Sequence, residues 1–130
     1  TLFSISDTLA FLLNELSRYA SVLNFQKETP KGRHSWFGFP MVINQTAPFS
    51  VDEFREHLER NGVETRPIIA GNMALQPAIK MYPHRIHGDL KNCTHVMNNG
   101  LAVASHQSLD SHSLEYIVST IDSFMKVKGI

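Results

Sequence analysis

Between Val63 and Pro77 the chain reads VETRPIIAGNMALQP, and three polar side chains in that stretch are equipped to bind a ligand. Arg66 offers a planar fork of N–H donors that matches a phosphate or a carboxylate. Asn72 and Gln76 carry amides that donate and accept at once, which suits sugar hydroxyls. Gly71 permits a tight turn in which backbone N–H groups face a ligand. The same residues also read as ordinary structure, with Arg66 in a surface ion pair and Asn72 capping the next helix. The residue types alone do not choose between the two readings.

Other chemistry is weaker. There are seven histidines. His84 and His87 form H-x-x-H, with His95 and His106 further on, but Pro83 and Gly88 flank the pair. No acid or cysteine completes an H-E-x-x-H or paired C-x-x-C pattern, so these imidazoles are expected on the surface or in loops and no metal is expected. Cys93 is the single cysteine, which excludes an internal disulfide and is compatible with a reducing compartment. G-x-S-x-G, G-x-G-x-x-G and G-x-x-x-x-G-K are missing. Asp52, Glu53, Glu56 and Glu59 share one helix and read as a solvated face. No catalytic residue is assigned.

Hydrophobic periodicity indicates the elements that must position these groups. SDTLAFLLNELSRYASVL places Leu9, Leu12, Leu13, Leu16, Ala20 and Leu23 at helical spacing, with Ser6 or Asp7 as the cap. Gln26 to Ser35, broken by Pro30 and Gly32, is a surface loop. Trp36 to Ile43 is apolar almost throughout and predicts a strand covered on both faces, with Pro40 placing it at an edge or a bulge. Ser50 and Glu53 have capping-box spacing, Phe49 and Phe54 form a hydrophobic staple, and Asn61-Gly62 supplies a left-handed stop. VETRPII is a strand candidate in which Pro67 pushes Arg66 towards extended backbone.

Residues 70–99 are irregular, with a short helix over Met73 to Met81 and one helical turn near Thr94 to Asn98. LAVAS is a strand. The last helix puts Leu114, Ile117, Val118, Ile121, Phe124 and Met125 on one face, and Lys126 and Lys128 suit its dipole. The fold expected is α/β, a two-layer sandwich of a short three- or four-stranded sheet with helices packed on one face. Such an architecture assigns no function by itself.

A chain of 130 residues fits one domain, and its 42% hydrophobic and 18% charged content is that of a globular protein. Twelve basic and twelve acidic residues give zero formal net charge, so no nucleic-acid partner is expected. No apolar run approaches the ~20 residues of a membrane span, so no membrane partner and a cytoplasmic location are expected. The chain starts at Thr1 and enters a helix almost at once, the expectation being a piece of something longer.

SWFGFPMVI, GVETRPIIAGNMALQP and LEYIVSTIDSF together resemble the C-terminal small domain of the DegT/DnrJ/EryC1/StrS family of pyridoxal-phosphate-dependent sugar aminotransferases. The likeness runs from about Leu9 to Met125. Within the family, TRPIIAGNMALQP is most similar to the branch of nucleotide-linked 4-keto-6-deoxyhexose 3-dehydrases.

This resemblance implies that residues 1–130 form one domain, like the small C-terminal domain of fold-type I pyridoxal phosphate enzymes. A large N-terminal domain would hold the cofactor, with none expected in this chain alone. A histidine would replace the Schiff-base lysine, upstream of this chain. The implied substrate is a CDP- or GDP-linked sugar that loses its C3 hydroxyl on the way to 3,6-dideoxysugars of lipopolysaccharide O-antigen. The implied partners are the chain's own N-terminal domain and a second subunit in a homodimer. Arg66, Asn72 and Gln76 would face the substrate, with Gly71 shaping the turn. His106 would lie at the active-site mouth, although ASHQSLD departs there from the Gly-x-x-Pro-Gly-Leu turn or related His-containing turn of the branch and leaves its role open. Two alternatives remain: the C-terminal domain of a sugar aminotransferase, or a freestanding, non-catalytic module for oligomerisation or small-ligand binding.

Overall fold

The structure, a computed structural model, describes residues 4–130. Helix α1 (Ile5–Leu16) starts at Ser4, not at Ser6 or Asp7. Ser4 Oγ accepts from the Asp7 N–H while Asp7 Oδ2 accepts from the Ser4 N–H, so Asp7 is the far half of a capping box. The helix stops seven residues short of Leu23. Ser17 Oγ donates to the Asn14 carbonyl at the helix end, and a 3₁₀ turn over Ser17–Tyr19 follows. Leu23 then begins strand β1 (Leu23–Phe25), because pairing with the next strand outweighs its helical spacing.

Strand β2 (Phe39–Ile43) is shorter than expected and alternates between buried and half-exposed positions, so one of its faces is open. Helix α2 (Val51–Arg60) carries the expected Ser50–Glu53 box, and Gly62 closes it at φ 75°. Strand β3 (Thr65–Pro67) leads to two 3₁₀ turns, Met73–Leu75 and Pro77–Met81, in place of one short helix. Gln76, held extended before Pro77, separates them. Helix α3 (Lys91–Asn99) is longer than the single turn expected and runs straight into strand β4 (Gly100–Val103). A side chain at Gly100 would lie 2.5 Å from both Ile68 Cδ1 and the Val96 carbonyl, so only glycine allows that junction. Helix α4 (Ser111–Val127) is capped by Asp110 and buries the six apolar residues its periodicity selects.

Among the described residues four strands form one antiparallel sheet in the order β1-β2-β4-β3. Strand β2 is therefore internal. Pro40 is tolerated because β1 ends opposite Met41 and leaves β2 with one neighbour at that point.

Leu23, Phe39, Met41, Ile43, Thr65, Leu101 and Val103 face one side and are buried. There α1, α2 and α4 pack together with Leu12, Leu16, Phe54, Leu58, Leu114 and Ile121, all fully enclosed. Each such side chain contributes about 1.5–3 kcal/mol on burial. Phe49, Phe54 and Phe124 form an aromatic triad, with Phe49 and Phe124 edge to face at 5.0 Å. Arg18 reaches both carboxylate oxygens of Asp122 at 2.6 Å, pinning the turn after α1 to α4. Helix α3 makes its main contacts with β2 and β4. No helix among the described residues is long and apolar enough to cross a membrane.

Lys128 Nζ meets Glu53 Oε1 at 2.6 Å, joining the end of α4 to the start of α2. The ammonium, helped by the Ser50 N–H, holds the Glu53 carboxyl down at about 2 from its usual 4.5. A depressed carboxylate stabilises the fold above its unfolded pKa and loses that contribution as pH falls through the folded one. Glu53→Gln, which keeps the cap acceptor, should lower the melting temperature at about pH 7. The gap from the unaltered protein should close as pH drops from 4.5 towards 2, as thermal melts across that window would show.

Candidate functional site

Strand register places Arg66 beside Ala102, and Ala102 beside Pro40, on the face opposite the core. These residues are exposed or half-exposed, and the small Ala102 side chain leaves a hollow between its larger neighbours. The result is a cavity of about 370 Å³ whose walls include Trp36, Phe37, Pro40, Arg66, Ile68 and Ala102. Gln26, His34 and Glu64 add polar groups to it. Arg66 is largely exposed and pairs with Glu64, two residues earlier on the same strand side. The segment before β2 forms one wall and is tied down. The His34 ring lies against Trp36 at 4.8 Å with the planes tilted by 41°, the His34 N–H donates to Glu28 Oε1, and Ser105 Oγ donates to the Trp36 carbonyl.

Beyond β3 the chain turns through Ala70 at φ 67° and Gly71 at φ 54°. A side chain at Gly71 would approach Met97 Cγ to 2.6 Å, so this glycine answers both to its conformation and to a close neighbour. Asn72 is buried, and its amide is engaged within the protein. Nδ2 donates to Thr94 Oγ1 at 3.0 Å, and Oδ1 accepts from the Ala74 N–H at 3.0 Å. Gln76 Nε2 donates to the Ala70 carbonyl at 3.1 Å. Asn72 thus ties the turn to α3, and Gln76 braces the turn from its far side.

The sequence-selected residues do not converge. Arg66 lines the open-face cavity; Asn72 and Gln76 do not. Asn72, expected to face a ligand, is buried with both polar atoms of its side chain bonded within the protein. His106 lies elsewhere, in a cavity of about 390 Å³ beside the start of α4, with His112, Tyr116 and Glu64. Glu64 is the one polar side chain shared by both cavities. The alternative reading fits two residues directly: Arg66 is ion-paired at the surface and Asn72 caps the following 3₁₀ turn. Among the described residues no three His, Cys, Asp or Glu side chains gather where a cation could sit.

The sequence reading overlooked Glu64, Trp36 and Phe37. Glu64 could have been found from strand alternation, which puts i and i+2 on one side. Trp36 and Phe37 were hidden inside an apolar run that reads as a strand.

The sequence matches the DegT/DnrJ/EryC1/StrS aminotransferase family over residues 4–122. Among curated proteins it is 29% identical to the lipopolysaccharide biosynthesis protein RfbH of Salmonella typhimurium, over 88% of this chain and 26% of that protein. It is 30% identical to a GDP-4-keto-6-deoxy-D-mannose 3-dehydratase of Yersinia pseudotuberculosis, over 75% of this chain and 25% of that enzyme. The chain thus spans about a quarter of the length of these relatives. Among solved structures, the Escherichia coli GDP-4-keto-6-deoxy-D-mannose 3-dehydratase with bound hydrated pyridoxal phosphate superposes with a TM-score of 0.81 at 26% identity. That match covers 90% of this chain and 30% of the other. A mutant of a GDP-4-keto-6-deoxymannose 3-dehydratase, ColD, with bound GDP-perosamine fits equally well.

Removing the Asn72 amide leaves Thr94 and the Ala74 N–H short of a partner, so Asn72→Ala should destabilise the fold by about 1–3 kcal/mol. Gly71→Ala should destabilise it as well, through strain at positive φ and pressure on Met97. Urea denaturation of both variants checks this.

Proposed function

The chain belongs to the DegT/DnrJ/EryC1/StrS aminotransferase family, and on that premise we propose that it is the C-terminal, substrate-positioning domain of a pyridoxal-phosphate-dependent nucleotide-sugar 3-dehydrase. The observation that carries this reading is Arg66, held on the uncovered face of the sheet at the edge of a cavity. The likeness to a GDP-4-keto-6-deoxy-D-mannose 3-dehydratase supports a substrate of the nucleotide-linked 4-keto-6-deoxyhexose class, and the likeness to RfbH supports a place in lipopolysaccharide biosynthesis.

The cavity itself does not suit pyridoxal phosphate. Its lining has no lysine, and its single arginine is already paired with Glu64. On this reading the cofactor is assigned to the remaining part of a longer protein, where it would supply an electron sink for loss of the C3 hydroxyl. The distribution of exposed apolar groups supports such a larger body. Of ten large hydrophobic side chains exposed among the described residues, six fall between Ile69 and Ile86, in the segment that follows β3. That strip is the surface assigned to the N-terminal domain.

Arg66 keeps free N–H donors for a sugar carbonyl or hydroxyl, and Glu64 offers the matching acceptor. Fixing the hexose between them orients it, and the apolar walls exclude water from one of its sides.

In the protein expressed from its complete reading frame, Arg66→Ala should lower kcat/KM for a nucleotide-linked 4-keto-6-deoxyhexose by about 10–100-fold, the worth of hydrogen bonds to a charged group. The melting temperature should hold. Unchanged kinetics would refute the assignment. Added pyridoxal phosphate should give the 130-residue chain no stoichiometric bound-cofactor absorbance band. Such a band would move the cofactor into this domain.

A further inference from the structure

Phe37 is 88% exposed, yet Trp36 before it and Phe39 after it are 9% and 1% exposed. Its backbone is pinned on both sides: the Trp36 carbonyl accepts from Ser105 Oγ, and Phe39 opens strand β2 opposite Val103. The frame fixes where the Phe37 side chain leaves the backbone, at the edge of the cavity, and leaves its ring accessible to a ligand. We propose that Phe37 is a specificity-determining platform, and that the open-face cavity receives the methyl-bearing, deoxygenated edge of a 6-deoxyhexose while the nucleotide lies outside it. This rests on the carbohydrate reading above.

Charge supports that choice of occupant. The cavity's one guanidinium and one carboxylate, Arg66 and Glu64, already face each other. A diphosphate arriving with two negative charges would find no unpaired Arg or Lys in the lining, and burying it there would be costly. A neutral sugar meets no such penalty. Its ring oxygens can exchange hydrogen bonds with the Arg66–Glu64 pair, and its methyl group can rest among Phe37, Pro40, Ile68 and Ala102. Size agrees: about 370 Å³ is near the small end of ligand cavities, room for a monosaccharide rather than an entire nucleotide sugar. A C6 hydroxyl in place of the bare methyl, set among Phe37, Pro40, Ile68 and Ala102, would find no hydrogen-bond partner on those four side chains.

Saturation-transfer NMR on the protein expressed from its complete reading frame tests this with two probes, GDP-D-rhamnose and GDP-D-mannose, which differ only in the C6 hydroxyl. The expected result is transfer strongest to the C6 methyl of GDP-D-rhamnose, with GDP-D-mannose bound about tenfold more weakly. Phe37→Ala, at an exposed position where truncation spares the fold, should lower the methyl transfer several-fold and bring the two affinities together. Transfer strongest to the guanine protons, or methyl transfer unchanged in Phe37→Ala, would overturn this inference and leave the domain's substrate-positioning role standing. Transfer to neither probe would overturn both.

Discussion

Strand alternation is the constraint on which the candidate site depends. Thr65 is buried against the helix layer, so Glu64 and Arg66 on either side of it must project the other way. The same rule sends Pro40 and Ala102 outward once Phe39, Met41, Leu101 and Val103 are committed to the core. A one-residue slip of β3 against β4 would turn the guanidinium into the hydrophobic layer, where an unmatched charge is prohibitively expensive. The apolar core therefore holds Arg66 in place without touching its side chain.

A second layer of support comes from groups that first look like ligand-binding equipment. The Asn72 amide bridges the turn after β3 to Thr94 on α3, and Gln76 reaches back to Ala70. Met97 fills the space above Gly71. These contacts hold in place a turn with two successive residues at positive φ, one of which is not glycine. Strain of that kind persists only where its surroundings over-determine it, and α3 provides those surroundings. The polar residues of this segment thus play different parts, Arg66 remaining available at the surface while Asn72 stabilises the backbone.

The helices on the covered face and the cavity on the open face give the domain two unlike sides. One side is sealed by leucine, phenylalanine and isoleucine and locked by Arg18–Asp122 and Glu53–Lys128. The other carries the exposed Phe37 and Ile69 beside the Arg66–Glu64 ion pair. Relatives about four times as long are in keeping with the proposal that a further body meets this second side.

Helix α2 was legible from its cap and stop at residues 50–62, and α4 from the apolar spacing of residues 114–125, because caps and 3.6-residue spacing act between near neighbours. The family was legible in the phrases around Trp36, Arg66 and Leu114. Boundaries failed where one residue satisfies two periods: Leu23 fits the helical stripe of α1 and also pairs with Ile43, and only the presence of β2 settles which prevails. The roles of Asn72, Phe37 and Glu64 likewise waited on the tertiary structure. Whether an amide meets solvent or Thr94, twenty-two positions along the chain, depends on how distant segments are brought together. A single sequence carries propensity between neighbours but no distance between segments.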